Sequence, residues 1–554
     1  MLTRIKGGKI YDPINGIDGV VKDLYIDEYK IIDKPLNGAK INETINAEGL
    51  FIMPGGIDIH THIGGGKVNI ARMMMTEETD AYQVAYGGLL RSGSGRIVPS
   101  TFLTGYEYAK LGYTMCFEPA IVPSNARQAH MEMADTPLLD TGGYLMLGND
   151  EYFLRMMATG AEAATIRDYI AFMVDATQCI GVKVVNPGGI SASKFNQRAL
   201  DVDEPHKHYG VTPGEIVRML SETLHDIKLS HPLHVHASNL GVPGNFASTI
   251  NTVKAADGLP LHLAHVQFHS YGTEGKQKFS SAATEIANLV KQNPQISVDV
   301  GHVMFNQTVT ISADTMHQFA NRNHAHPRKS MFLDIECEAG CGVVPFRYRS
   351  NSYVNALQWA IGLELFLAID NPWQVFLTTD HPNGASFTTY PHLIRLLMDK
   401  GCRDHALSTI NQSAANMSCV SEISREYSLY EIAIITRAGP ARSLGLKDRG
   451  HLGAGANADV VLYRQNDNWE TVFANPARVI KDGRTVVLDG EIKHVVAGRS
   501  HRASLEYDQN IKRELKNYFE HNGSMRLSNF SISDDEMANA IGSQVVKHTW
   551  NSTA

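Results

Sequence analysis

Histidines fall in close pairs at or just past the ends of three apolar runs: His60 with His62, His234 with His236, and His262 with His265. A single lysine, Lys183, interrupts the apolar run Gly181-Val182-Lys183-Val184-Val185, and Asp380 ends the run QVFLTT. Imidazole nitrogens and carboxylate oxygens are the donors that zinc takes. An uncompensated ammonium inside an apolar strand is costly. Lys183 therefore either snorkels to a paired surface position or is carboxylated by CO₂ to an anionic carbamate, whose two oxygens can bridge two cations.

Side chains two apart on a strand point to the same side, so His60 and His62 can share one metal. Strand parity and the strand-end position favour His236 over His234, and His265 lies nearer its strand end than His262. Each residue alone has an ordinary reading: a satisfied core histidine, a paired lysine, or an aspartate capping the next helix. Taken together, His60, His62, Lys183, His236, His265 and Asp380 form a six-residue set that core packing does not require. The set predicts two Zn²⁺ ions bridged by carboxylated Lys183. Zinc lowers the pKa of bound water from about 15.7 to about 7. Asp380 would orient that nucleophile and carry its proton, while the metal polarises a substrate carbonyl.

The residues that would deliver these ligands are short apolar strands separated by helical segments, the pattern of a parallel sheet built from βα units. Eight candidates occur, at 51–62, 113–120, 143–149, 181–185, 232–237, 260–266, 295–300 and 374–380. Eight strands close a (β/α)₈ TIM barrel, whose chemistry sits at the C-terminal strand ends. TPGEIVRMLSETLHDI before strand five and SYVNALQWAIGLELFLAI before strand eight carry apolar residues at helical spacing. Short strands and turn signals in the first fifty residues, and again near residues 451–492, predict one small composite β domain formed from both ends. The expected division is 1–52 and 446–500 for the composite domain, 53–445 for the metal-dependent barrel, and 501–554 for a peripheral extension. The span between strand seven and the helix before strand eight is long enough to suggest a functional loop.

With a formal net charge of -8 over 554 residues, the chain lacks the electrostatic footprint of a nucleic-acid or anionic-membrane binder. It has no stretch of about 18 apolar residues and no leader-like segment, so a cytoplasmic location is expected. The six cysteines include no CxxC pair, which fits a reducing compartment. Cys337 and Cys341 read as packing or loop residues, and no iron–sulfur motif is present.

The arrangement resembles the amidohydrolase superfamily. It is closer still to the family formed by the A components of formylmethanofuran dehydrogenase and of the bacterial formyltransferase/hydrolase complex. The resemblance is carried nearly chain-long by PGGIDIHTHIGGGKVN, KVVNPGG, LHVHASNLGVPGN, AHVQFHSYG, GVVPFRYR, QWAIGLELFL and LTTDHPN. It implies an amidohydrolase-type barrel and the same six zinc ligands. It also implies hydrolysis of the N-formyl group of a methylofuran or methanofuran carrier to formate and free amine. Implied partners are a formyltransferase and B/C-type subunits, with an anionic polyglutamate-tailed carrier as the shared substrate. NRNHAHPRKS and LAHVQFHSYGTEG favour the bacterial version. The alternatives are the formylmethanofuran dehydrogenase component running formate condensation, a non-catalytic scaffold, and a cyclic amidase of the dihydroorotase type. Asn186 and Asn239 are candidates for hydrogen bonds to the formamide, with turn roles as the competing reading. His302 is a candidate for proton transfer. Lys67 and the cluster Arg322, Arg328 and Lys329 are candidates for holding the anionic carrier.

Overall fold

The computed structural model describes residues 1–75, 83–84 (backbone only), 88–312, 314, 342–523 and 525–550. Alternating apolar residues near the N-terminus form the antiparallel strands Leu2–Asp12, Ile17–Asp27 and Lys30–Ile32, and Leu50–Pro54 runs parallel to the first. Val460–Arg464 pairs antiparallel with Leu50–Pro54, and strands Arg478–Lys481, Arg484–Leu488 and Glu491–Ile492 follow outward. The two remote β segments therefore share one sheet, and its face buries Ile5, Ile10, Ile26, Ile52, Val460, Leu462 and Ile480.

The run 51–62, expected as one strand, is divided between two sheets. Leu50–Pro54 belongs to the composite sheet, and Gly56–Asp58 opens the barrel. Gly55 makes the crossing possible, because a Cβ there would stand 2.2 Å from Thr114 Oγ1. The barrel strands are Gly56–Asp58, Tyr113–Ile121, Asp140–Met146, Gly181–Val185, Leu233–His236, Leu261–Leu263, Ile296–Asp299 and Val375–Phe376. Each runs parallel to the next. A parallel bridge between Thr61 and His381 joins the last strand to the first at the C-terminal end.

Both expected helices form. Pro213–Asp226 starts with a capping box of Thr212 and Glu215. Tyr353–Ala368, capped by Ser352, is apolar nearly all round and is buried accordingly. In the long span after strand seven, Gln307–Ser312 and Gly342–Arg347 pair as an antiparallel arm over the barrel mouth. Arg322, Arg328, Lys329, Cys337 and Cys341 lie outside the described residues. No helix among the described residues is long and apolar enough to cross a membrane.

The chain after the composite sheet returns to the barrel. Arg499–Ala503 runs parallel beside strand three and pairs in turn with Gln544–His548. A buried ionic cluster ties these parts together. Asp140 at the start of strand three accepts from Lys481 Nζ at 2.8 Å, Arg449 Nη2 at 3.0 Å and the Arg499 N–H at 3.1 Å, and His501 Nε2 stands 3.4 Å away.

Candidate metal centre

His60, His62, Lys183, His236, His265 and Asp380 all lie at the C-terminal end of the barrel, and all are buried. Thr61 turns away from the two histidines beside it and accepts from Tyr108 Oη at 2.8 Å. His60 Nε2 and His62 Nε2 then converge on Asp380 Oδ1, at 3.1 and 3.4 Å. Ligand atoms of these three residues lie within 4.8 Å of one another. Lys183 Nζ stands 3.3 Å from His60 Nε2, at the same convergence point.

Parallel pairing arranges the inward side chains in layers. Lys183 is opposite His234, and His234 is opposite His262. His236, opposite Val185, is one step nearer the mouth. His236 and His265 line the cavity, with their ring centroids 4.5 Å apart. His234 and His262 lie beneath, gathered on Asp299. Asp299 Oδ2 is 2.9 Å from His60 Nδ1 and 3.1 Å from His262 Nε2, and His234 Nε2 is 2.9 Å from His60 Nδ1. His265 sits in the left-handed region at φ 33°, with its N–H donating to Asp299 Oδ1 at 2.9 Å.

The donor set fits metal ions. His60 and His62 both turn Nε2 to the common point and hold a carboxylate on Nδ1, Asp299 for His60 and Glu118 for His62, each at 2.9 Å. Metal-ligating imidazoles are oriented in this way, because the carboxylate fixes the tautomer that leaves a lone pair on the other nitrogen. Glu118 is itself held by the N–H groups of Ile63 and Gly64, at 2.8 and 3.2 Å. Burial pushes the Lys183 amine down to about 8 against the opposing pull of Asp380, Asp299 and Glu118. A free amine is the form that reacts with CO₂. Burial pushes the Asp380 carboxyl up, but the charges of His265 and His60 and hydrogen bonds from His60 and His62 outweigh it, holding the group well below the usual carboxylate range.

The cavity above these residues has about 580 Å³ of empty space, part of it open to solvent. Its wall includes Lys67, Tyr348, Asn383 and residues Thr310, Ile311 and Ser312 of the arm. Asn383 Nδ2 donates to Asp380 Oδ1 at 3.1 Å, and its Oδ1 accepts from the Ile311 N–H at 2.6 Å. Asp314, just past the arm's first strand, places Oδ2 2.5 Å from His236 Nε2.

Three candidates stand elsewhere. Asn186, Asn239 and His302 are not among the described residues lining the cavity. Asn186, at φ 45°, makes a turn in which its N–H donates to the His236 carbonyl and its carbonyl accepts from Gly189. Asn239, at φ 64°, donates to Ser248 Oγ at 2.8 Å. His302 is fully buried behind the wall, packed so closely that a Cβ on Gly362 would meet its Nδ1 at 2.1 Å, and burial pushes its imidazole down to about 3.

Sequence reasoning missed Glu118, Asp299, His269, Asp314 and Asn383. Glu118 and Asp299 end the runs YTMCFE and QISVD, the strand-end signal that marked Asp380. His269 ends the short turn Val266–His269 that follows His265, and its closeness in the sequence to a strand-end ligand is the signal that could have found it. Asp314 and Asn383 reach the site only through the arm and the turn after strand eight, and no spacing announces that.

Residues 43–492 match the amidohydrolase family. Over 96% of its length the chain is 39% identical to the A component of the formyltransferase/hydrolase complex Fhc of Methylorubrum extorquens, covering 97% of that protein. It is 38% identical to protein FwdA of Methanocaldococcus jannaschii, with 96% of each chain covered. Among solved structures it is similar to a chain of the formyltransferase/hydrolase complex FhcABCD of Methylorubrum extorquens in complex with methylofuran. There the TM-score is 0.92 at 38% identity, covering 99% of this chain and 100% of that one. Eight parallel strands that carry an HxH pair, a strand-four lysine, two further histidines and a strand-eight aspartate to one mouth, matched across 43–492, establish that the chain belongs to the amidohydrolase family.

Proposed function

We propose that the protein hydrolyses the N-formyl group of a formylated methylofuran-type carrier to formate and a free amine, as the A component of a formyltransferase/hydrolase complex. The observation that carries this reading is the convergence of His60, His62, Lys183 and Asp380 at the cavity floor, with His236 and His265 beside them. Near-full-length similarity to the Fhc protein supports the substrate and the assembly. Two zinc ions held by these six residues, with Lys183 carboxylated between them, would supply a nucleophilic water at neutral pH and polarise the formyl carbonyl.

The chain's own residues do the rest. Asp380, ionised and facing both Nε2 atoms, accepts the proton of the attacking water and returns it to the departing amine. Asn383 Nδ2 keeps that carboxylate in place. Glu118 and Asp299 hold the two HxH imidazoles in register. Lys67 on the cavity wall is placed to hold an anionic part of the carrier. Nearly equal identity to protein FwdA favours, as a second reading, the same site run in the direction that joins formate to the amine. The domain division proposed with it is the barrel at 53–445, the composite β domain at 1–52 and 446–500, and the extension at 501–554, with the first boundary moved to Gly55, where the chain passes from one sheet to the other.

In the assembled complex, His60→Ala should lower formate release by at least about a thousandfold, since metal polarisation is worth several kcal/mol. Size-exclusion chromatography should show the complex intact. Unchanged formate release would eliminate the hydrolase reading and leave the scaffold. Ring opening of a cyclic amide to the corresponding open-chain acid, with no formate from the formyl carrier, would instead favour the cyclic amidase.

A further inference from the structure

The tight turn Val266–His269 after strand six brings a third imidazole to the histidine pair. The His269 ring stacks on His265 with centroids 5.3 Å apart and planes 25° apart, and it meets His236 edge to face at 5.2 Å. One ring nitrogen from each of His236, His265 and His269 lies within 4.8 Å of the others. All three residues are buried, and His269 is 1% exposed.

His269 does not behave as a structural histidine. Its backbone is anchored, the carbonyl accepting from Thr249 Oγ1 at 2.9 Å, yet neither ring nitrogen has a hydrogen-bond partner. His302 shares that state and His130 bonds through Nε2 alone, to the Thr177 carbonyl at 2.8 Å, but among the described residues neither stands in a group of metal-competent side chains as His269 does. A buried imidazole with two unmet nitrogens costs on the order of 1–3 kcal/mol per group unless something else satisfies it. His265 Nδ1 is likewise unmet. Nor is His269 among the described residues lining the cavity.

We propose that His269 is a ligand of the second metal ion, giving it a three-histidine set of His236, His265 and His269 distinct from the His60, His62 and Asp380 set of the first. Three neutral imidazoles form a common zinc donor set, to which the carbamate of Lys183 would add an oxygen. The inference rests on the two-metal reading above. It differs from that reading in assigning the second ion a protein ligand that follows the strand rather than ending it.

The test uses the assembled complex, stripped with a chelator and reloaded with Zn²⁺ for metal analysis or Co²⁺ for absorption spectroscopy. Wild type and His130→Ala, which removes a buried imidazole elsewhere, should bind two equivalents per chain. His269→Ala should keep the first equivalent, weaken the second by at least about tenfold, and change the intensity of the Co²⁺ bands. If His269→Ala fails to fold, His269→Gln, which keeps bulk and polarity, is read in the same way. Two equivalents at wild-type affinity with an unchanged Co²⁺ spectrum would overturn the assignment and leave the hydrolase reading intact. A wild-type complex that binds no metal would overturn both.

Discussion

Asp140→Asn should loosen the attachment of the composite sheet and the C-terminal strands to the barrel without touching the metal centre. Lys481, with no exposed surface, donates to Asp140 at 2.8 Å; its other acceptors are the Thr114 carbonyl at 3.4 Å and Asp482 at 4.0 Å. Arg449 is less dependent, because Asp448 at 2.9 Å and Asp459 at 3.5 Å remain to it. Breaking a buried pair from one side costs about 3–5 kcal/mol. With one cation stranded rather than two, the lower end applies, about 3 kcal/mol or a factor of about 150 in the local opening equilibrium. Amide hydrogen exchange over 478–503 measures that opening directly. The pH dependence has a defined sign. Burial pushes the Asp140 carboxyl up, but Lys481, His501 and Arg449 outweigh it and hold it well below 3.8, so its contribution is complete above that value and lost as pH falls toward the folded one. Burial pushes the Lys481 amine down, and Asp140, Asp459 and Asp482 overcome it to raise the group above 10.5, so its contribution is complete below that value and lost as pH rises through the folded one. The difference between wild type and variant should therefore be flat between about pH 7 and about pH 9, above the range in which His501, whose imidazole burial pushes down against the pull of Asp140, takes up a proton. Adding Lys481→Met should restore more than half of the lost protection, because a buried ion pair replaced from both sides is nearly neutral. Protection within threefold of wild type in Asp140→Asn, or no recovery in the double variant, would refute the argument.

Glu118→Gln keeps a group beside His62 but removes the charge that fixes its tautomer; metal affinity of the complex should fall about 10–100-fold, which competition with a chromophoric chelator would show. Metal retained at wild-type affinity would remove Glu118 from the site's support. A second expectation follows from charge: if the carrier is polyanionic, as the proposed reading has it, a chain at -8 cannot itself attract it, and the tail is expected to be anchored on partner subunits with the head delivered at high effective concentration. The isolated, zinc-loaded protein should then show a kcat/KM for formyl carrier at least about tenfold below that of the complex, mainly through KM, and parity at low carrier concentration would rule the tether out.

The barrel was legible because its strands are short apolar runs and several of them, those ending near His60, His236, Asp299 and Asp380, place a polar residue at or just past the C-terminal end, a pattern that survives without any knowledge of pairing. The composite sheet was legible from turn chemistry at both ends, although the division of 51–62 at Gly55 was not, since it depends on contact with Thr114. Partners of the ligands were harder to see. Glu118 and Asp299 occupy the same strand-end position as Asp380, yet a carboxylate beside an apolar run is also what any helix cap looks like. Asp140 and Lys481 are separated by 341 residues and meet only after the chain has closed. No periodicity encodes such a contact.

Pairing register explains why two of the three histidine pairs, His234 with His236 and His262 with His265, contain one residue for chemistry and one for its support. TIM-barrel interiors are usually filled by layers of branched aliphatic side chains. Here Lys183, His234 and His262 occupy one inward layer, with Asp299 gathering His60 and His262. A buried imidazole without partners is expensive, so such a layer persists only if its members satisfy one another. His231, His234, His60, Asp299, His262 and Ser297 do so in an unbroken chain of contacts between 2.8 and 3.1 Å. That network fixes the ring of His60 from behind while its Nε2 faces Asp380. Thus the lower histidines His234 and His262 act through orientation, and the upper ones, His236 and His265, nearer the mouth, are left free to face the cavity.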